Sequence, residues 1–129
     1  MTNFIPIFPL ELVLFPGENL NLHIFEPRYR QLINECIEEK KPFGLCPVID
    51  GKITEMGTLV RVTELSETYD DGKMDIKTVG IMPFKILEVI KELPEKLYQG
   101  AIVSYPNFTK TGNSFLLSKV LNKLRKVHA

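Results

Sequence analysis

The chain has 129 residues, enough for one domain that buries about 65–70% of the surface its unfolded form exposes. Hydrophobic residues at 44% and charged residues at 25% are ordinary globular values and argue against disordered, collagen-like and membrane classes. Sixteen basic and sixteen acidic side chains cancel, leaving no overall field to draw the chain onto nucleic acid or an anionic membrane.

The opening stretch, IPIFPLELVLFPGENLNLHIFEPRY, carries the densest signals. Residues 5–8 read as a short strand that Pro6 and Pro9 confine to a sheet edge, because proline has no N–H to give a ladder. Residues 12–15 are a second apolar piece, and Pro16-Gly17 turns the chain. Leu20, Leu22 and Ile24 then alternate with Asn19, Asn21 and His23, the period of a half-buried strand. Glu26-Pro27 opens a helix over about residues 27–39, in which Tyr29, Leu32, Ile33, Cys36 and Ile37 form one apolar face, and Pro42 prevents its continuation.

Beyond residue 42 the period becomes that of strands. Residues 43–49 are short and apolar, Asp50-Gly51 supplies a tight turn, and residues 57–65 alternate. A hairpin at Asp70-Asp71-Gly72 leads into residues 74–79, and two further strands are expected around residues 84–90 and 97–103. Six or more short strands with one early helix predict a mainly β, α+β fold: a compact, partly closed barrel over residues 1–105. Residues 106–129 are expected to form a linker and a C-terminal amphipathic helix, capped by Asn113 or Ser114 and striped with Leu117, Val120, Leu121 and Leu124. No acidic residue follows Glu95, so this end of the chain is basic.

Reactive groups are scarce. His23 faces outward by its parity while Cys36 faces the core, so they do not make a nucleophile and base; Cys36 and Cys46 read as small core hydrophobes held as thiols. The two cysteines stand too far apart in sequence for the closely spaced ligand pairs of a zinc site, and no cofactor is expected. Gly51-Lys52 and Gly72-Lys73 lack the context of a phosphate loop and read as hairpin turns. Glu64, Glu67, Asp70, Asp71 and Asp75 read as a solvated hairpin tip, and Glu26 and Arg28 as residues that set the helix against the barrel. No run reaches the roughly 18–20 apolar residues of a membrane span, and the amino terminus lacks a signal-peptide pattern, so a cytoplasmic protein is expected.

An ordered set of short motifs resembles the amino-terminal, substrate-binding domain of the Lon protease family in its small stand-alone bacterial form. The set is Phe8-Pro9-Leu10, Leu14-Phe15-Pro16-Gly17, Leu22-His23-Ile24-Phe25-Glu26-Pro27-Arg28-Tyr29, Gly57-Thr58-Leu59, Asp71-Gly72, Val79-Gly80 and Phe84-Lys85-Ile86. The resemblance implies a PUA-like pseudobarrel and a non-catalytic role in recognising unfolded or degron-bearing polypeptide. The family's ATPase and proteolytic modules have no counterpart in the sequence, so no enzymatic activity is expected. Phe15, Met56, Tyr69 and Met82, large apolar groups near turns, are the candidate contacts for apolar polypeptide segments, with a protease or chaperone as a further possible partner. The alternatives are a PUA-like RNA-binding protein, which the balanced charge disfavours, and a scaffolding protein docking through its C-terminal helix on a partner or a second copy.

Overall fold

A computed structural model describes residues 3–106. Its elements in chain order are β1 (Asn3–Leu10), β2 (Asn19–Ile24), α1 (Pro27–Glu39), β3 (Phe43–Ile49), β4 (Lys52–Ile53), β5 (Met56–Thr68), β6 (Met74–Ile90) and β7 (Gly100–Ser104). The mainly β class and the early helix are those expected. The C-terminal helix, with Leu117, Val120, Leu121 and Leu124, falls outside the described residues.

The strands neighbour one another in the order β1-β7-β6-β5-β3, and β1 also pairs with β3, which closes a five-stranded ring. β1 achieves this by changing partner midway. Residues 3–6 run antiparallel to β7, and residues 7–10 run parallel to β3. The strand is therefore the seam of the barrel, not the edge that its prolines suggested. The Ile7 N–H donates to Gln99 O on the β7 side at 3.0 Å. Backbone N–H groups alternate sides along a strand, so Pro9 lacks its donor on the β7 side, after that pairing has ended. Pro6 lacks its donor on the β3 side, before that pairing begins. Each proline is tolerated where β1 has no neighbour.

Two apolar clusters follow from strand parity. Ile5, Ile7, Cys46, Leu59, Phe84, Ala101 and Val103 fill the barrel. Phe8, Phe43, Leu45 and Val60, the alternate residues of the same strands, face outward and pack with Tyr29, Leu32, Ile33 and Cys36 of α1. Strands buried on both faces carry near-continuous apolar runs, as residues 43–46 do, and residues 56–60 apart from Thr58, whose hydroxyl donates to Leu14 O. Inside the barrel the Phe84 ring occupies space opened by Gly44 and Gly57, whose side-chain positions would lie 2.8 and 2.5 Å from it.

β6 is one strand of 17 residues where two shorter ones were expected. An extra residue at Ile81 shifts its register against β5, between Leu59↔Met82 and Val60↔Gly80. That bulge exchanges the faces of β6: Met74 and Ile76 look toward the helix, whereas Phe84 and Ile86, of the same parity, look into the barrel. β6 also changes neighbour, from β2 along residues 74–79 to β7 along residues 85–90. Between the two, the turn after residue 15 takes the place of a strand. Gly17 N–H donates to Gly80 O at 2.8 Å, and Gly80 N–H donates to Glu18 O at 2.9 Å. A final difference lies in the last strand, which starts at Gly100 and leaves Leu97 exposed outside it.

Helix α1 starts at Pro27, which gives up only an N–H that the first turn leaves unpaired. Glu26 O accepts from the N–H groups of Tyr29 and Arg30. The helix ends at Lys40, held in the left-handed region at φ 55°. The loop between β6 and β7 is strapped across α1. Gln31 donates to Glu95 O and accepts from Leu97 N–H, while Glu35 pairs with Lys96 at 2.8 Å and accepts from the Tyr98 hydroxyl.

Two substitutions test these constraints by urea denaturation. A Cβ at position 80 would sit 2.6 Å from the backbone oxygen of Phe15, so Gly80→Ala is expected to cost about 1–3 kcal/mol; unchanged stability would refute the docked turn. Lys40→Gly relieves a left-handed non-glycine residue and is expected to add about 0.5–1 kcal/mol, whereas a loss would contradict the cap geometry.

Candidate polypeptide-binding site

Two of the sequence motifs converge where β1, β2 and α1 meet. Phe8, Pro9 and Leu10 form one wall, residues 22–26 leading out of β2 form the second, and Arg28 and Tyr29 of α1 form the third, around an open cleft of about 200 Å³. The Phe8 and Tyr29 rings stack at 4.0 Å and 12°, which ties the first wall to the third. Arg28 lies over the Tyr29 ring at 4.7 Å and donates from Nε to Glu26 at 2.9 Å. Glu26 and Arg28 thus pair with each other at the helix start. The lining is mostly apolar and the rim is charged, a common composition for recognition clefts.

Phe25 stands on the rim, 54% exposed. Its ring lies 6.0 Å from that of His23, which meets Tyr69 edge-on at 5.8 Å. His23 and Asp75 are directly opposite across β2 and β6, and His23 Nδ1 and Asp75 Oδ1 are 2.6 Å apart. An ionised carboxylate can only accept, so the proton of this bond belongs to Nδ1. The Tyr69 hydroxyl donates to the other Asp75 oxygen at 2.6 Å. The bond from Tyr69, then that from His23, holds the Asp75 carboxyl below its ordinary range, and the same bond raises the Tyr69 phenol. The result is an exposed shelf of three rings, two of them bonded to one carboxylate and the third, Phe25, lying beside His23.

Nothing in this geometry activates a nucleophile. Cys36 and Cys46 are buried, and burial pushes both thiols up to about 12, opposite to the direction thiolate chemistry needs. Acidic residues near the hairpin pair with neighbouring cations: Asp71 lies 3.1 Å from Lys73, and Glu64 lies 3.6 Å from Lys77.

The four expected contact residues do not form one surface. Tyr69 belongs to the shelf. Met56 is buried at 3% exposure and cannot touch a ligand, because the strand that carries it is already enclosed at its first residue. Phe15 is half-buried, with its carbonyl against Gly80. Met82 is exposed beside the Ile81 bulge, roughly 20 Å along β6 from Asp75 at about 3.3 Å per residue. Pro9, Tyr29, Glu26 and Arg28, expected to be architectural, line the cleft, while Gly57 and Gly80 permit close backbone approach and Gly17 takes a left-handed φ of 87° in the exposed turn after Pro16. Reading motifs as scaffold and turns as contacts missed Phe25, although its position just after an alternating strand and before a helix marks an apolar residue with no core to enter.

Residues 5–127 match the family model described as the ATP-dependent protease La (LON) substrate-binding domain. The fold is similar to the crystal structure of a Lon N-terminal domain protein from Xanthomonas campestris, with a TM-score of 0.69 and 27% identity over 94% of this chain and 72% of that one. The N-terminal domain of a Mycobacterium avium complex Lon protease shares the fold at a TM-score of 0.67 and 11% identity, covering 98% of this chain and 70% of that one. Protein cereblon from Xenopus tropicalis is 27% identical over 89 residues, 65% of this chain and 20% of cereblon, so the chain spans about a fifth of that curated relative. With a family match across nearly all of its length and a similar fold, the chain belongs to the Lon substrate-binding domain family.

Proposed function

We propose that this chain is a non-catalytic recognition module that holds unfolded or degron-bearing polypeptide in the cleft between β1, β2 and α1, for a protease or chaperone that acts on the held segment. The observation that carries this reading is the convergence of Phe8-Pro9-Leu10 with residues 22–29 on one open apolar cleft, with Phe25 exposed at its rim. β2 pairs only with β6 among the described residues. Its second edge leaves main-chain groups to which an extended segment can add, while side chains enter the cleft.

Magnitudes set the expected strength. Burying one large apolar side chain contributes about 1.5–3 kcal/mol, and association loses several kcal/mol of translational and rotational freedom. One cleft of this size therefore supports weak, rapidly reversible binding, suited to sampling many unfolded segments. The aromatic shelf adds contact area at small entropic cost, since Phe25, His23 and Tyr69 are already held against one another.

Fluorescence anisotropy with a labelled, unstructured, uncharged apolar peptide tests the reading. Saturable binding in the micromolar range is expected, and Phe25→Ala is expected to weaken it by about five- to thirtyfold, a loss of roughly 1–2 kcal/mol, without lowering the melting temperature. Absence of saturation, or equal affinity in the variant, would overturn the proposal.

A pH series on the wild type and Asp75→Asn tests the shelf. The folded-state pKa of Asp75 is lowered, so its stabilising effect is present above the ordinary carboxylate value of about 3.9. That effect is lost as pH falls through the lowered folded value. The two proteins should differ in melting temperature at neutral pH and converge only as pH falls from about 3.9 through the lowered folded value; a difference that persists below it would exclude the carboxylate as its source.

A further inference from the structure

The opposite end of α1 presents a second concave surface. A groove of about 300 Å³ runs between the last turn of α1 and β5, with Ile37, Val62 and Leu65 in its apolar floor and Lys40, Lys41 and Arg61 on its rim. We propose that this groove binds a polypeptide segment in which carboxylate side chains adjoin apolar ones.

Charge complementarity argues for that occupant. Glu64 is the single carboxylate in the lining, set against three cations, and it lies 3.6 Å from Lys77, while Glu39 beside the rim lies 3.7 Å from Lys41. Among the described residues, Lys40 and Arg61 have no carboxylate within 4.0 Å. These cations come from different elements, one from the helix cap at φ 55° and one from β5, and they meet over an aliphatic floor. A ligand that answers both features needs negative charge and apolar side chains together. Residues 107–129 do not offer that chemistry, since they contain five Lys or Arg and no Asp or Glu.

The backbone beside the groove is available as well. Pairing of β3 with β5 ends at Phe43↔Val60, so the outer edge of β5 from residue 61 onward has no strand beside it among the described residues. Extra residues at Thr63 and Ser66 interrupt the register of this stretch, which prevents a long added ladder. Recognition is therefore led by side chains, with main-chain bonds limited to a few residues. A polypeptide fits better than a nucleic acid, because the groove contains no aromatic ring on which bases could stack.

Three labelled probes of equal length separate the possibilities: an apolar peptide with interspersed Glu, the same peptide with Lys in those places, and a single-stranded RNA oligonucleotide. Each is titrated against wild type, Arg61→Glu, the double variant Lys40→Gly with Arg61→Gln, and Phe25→Ala. The Glu peptide is expected to bind wild type about tenfold more tightly than the Lys peptide at low salt, to lose that preference in both groove variants, and to keep it in Phe25→Ala. Retained melting temperatures, readily met by exposed side chains and a relieved left-handed residue, separate lost binding from lost folding. Equal binding of the two peptides, insensitivity to both groove variants, or tighter Arg61-dependent binding of RNA than of the Glu peptide would overturn the proposal. This site stands apart from the cleft: failure of the uncharged peptide to bind, with Arg61-dependent binding of the Glu peptide intact, would remove the cleft reading and leave the groove.

Discussion

The architecture depends on the change of partner within β1. Its first half pairs with β7 and its second with β3, and only the two pairings together convert a sheet into a ring. An open sheet would leave two edges exposed to other chains, whereas closure hides the edges along the seam. The handover also decides which side chains reach the surface near β2. Once β1 follows β3, Ile7 points into the barrel, Phe8 points toward α1, and Pro9 and Leu10 run out beside the residues that lead from β2 into the helix. The cleft is a consequence of closing the barrel.

A second consequence is the position of α1. The barrel strands are buried on both sides at residues 43–46 and 56–60, so their outer face needs cover, and the apolar stripe of α1 supplies it. The loop strapped over the helix through Gln31 and Glu35 holds it in register. Burial disfavours the charged form of Glu35, but its bonds from Lys96 and Tyr98 outweigh that and keep its pKa below the ordinary value. Both concave surfaces sit at the ends of this one helix, the cleft where it begins and the groove where it stops.

Much of this was legible in the chain. Pro27 and the spacing of Tyr29, Leu32, Ile33 and Cys36 define the helix, and Asp50-Gly51 and Asp71-Gly72 mark hairpin turns that the structure contains. Single-residue bulges were not legible. Ile81 inverts the faces of β6, so a period-two reading loses phase there and divides one strand into two. The parallel pairing of β1 with β3 was equally hidden, since two prolines in eight residues suggest an edge until each missing N–H is assigned to a side. Exposure was hidden for a related reason. Met56 resembles a turn residue, yet it is enclosed, while Phe25, inside a motif that reads as scaffold, is exposed.

The central claim is that closure of the barrel creates the surface proposed to hold polypeptide. The most direct test is a backbone amide NMR titration with a chemically unfolded, non-refolding polypeptide. The account predicts concentration-dependent shifts clustered at Leu10, Leu22, Phe25 and Tyr29, with the amides around Ile81 and Leu87 unmoved. Shifts centred on those two exposed residues, or spread evenly over the barrel, would contradict it.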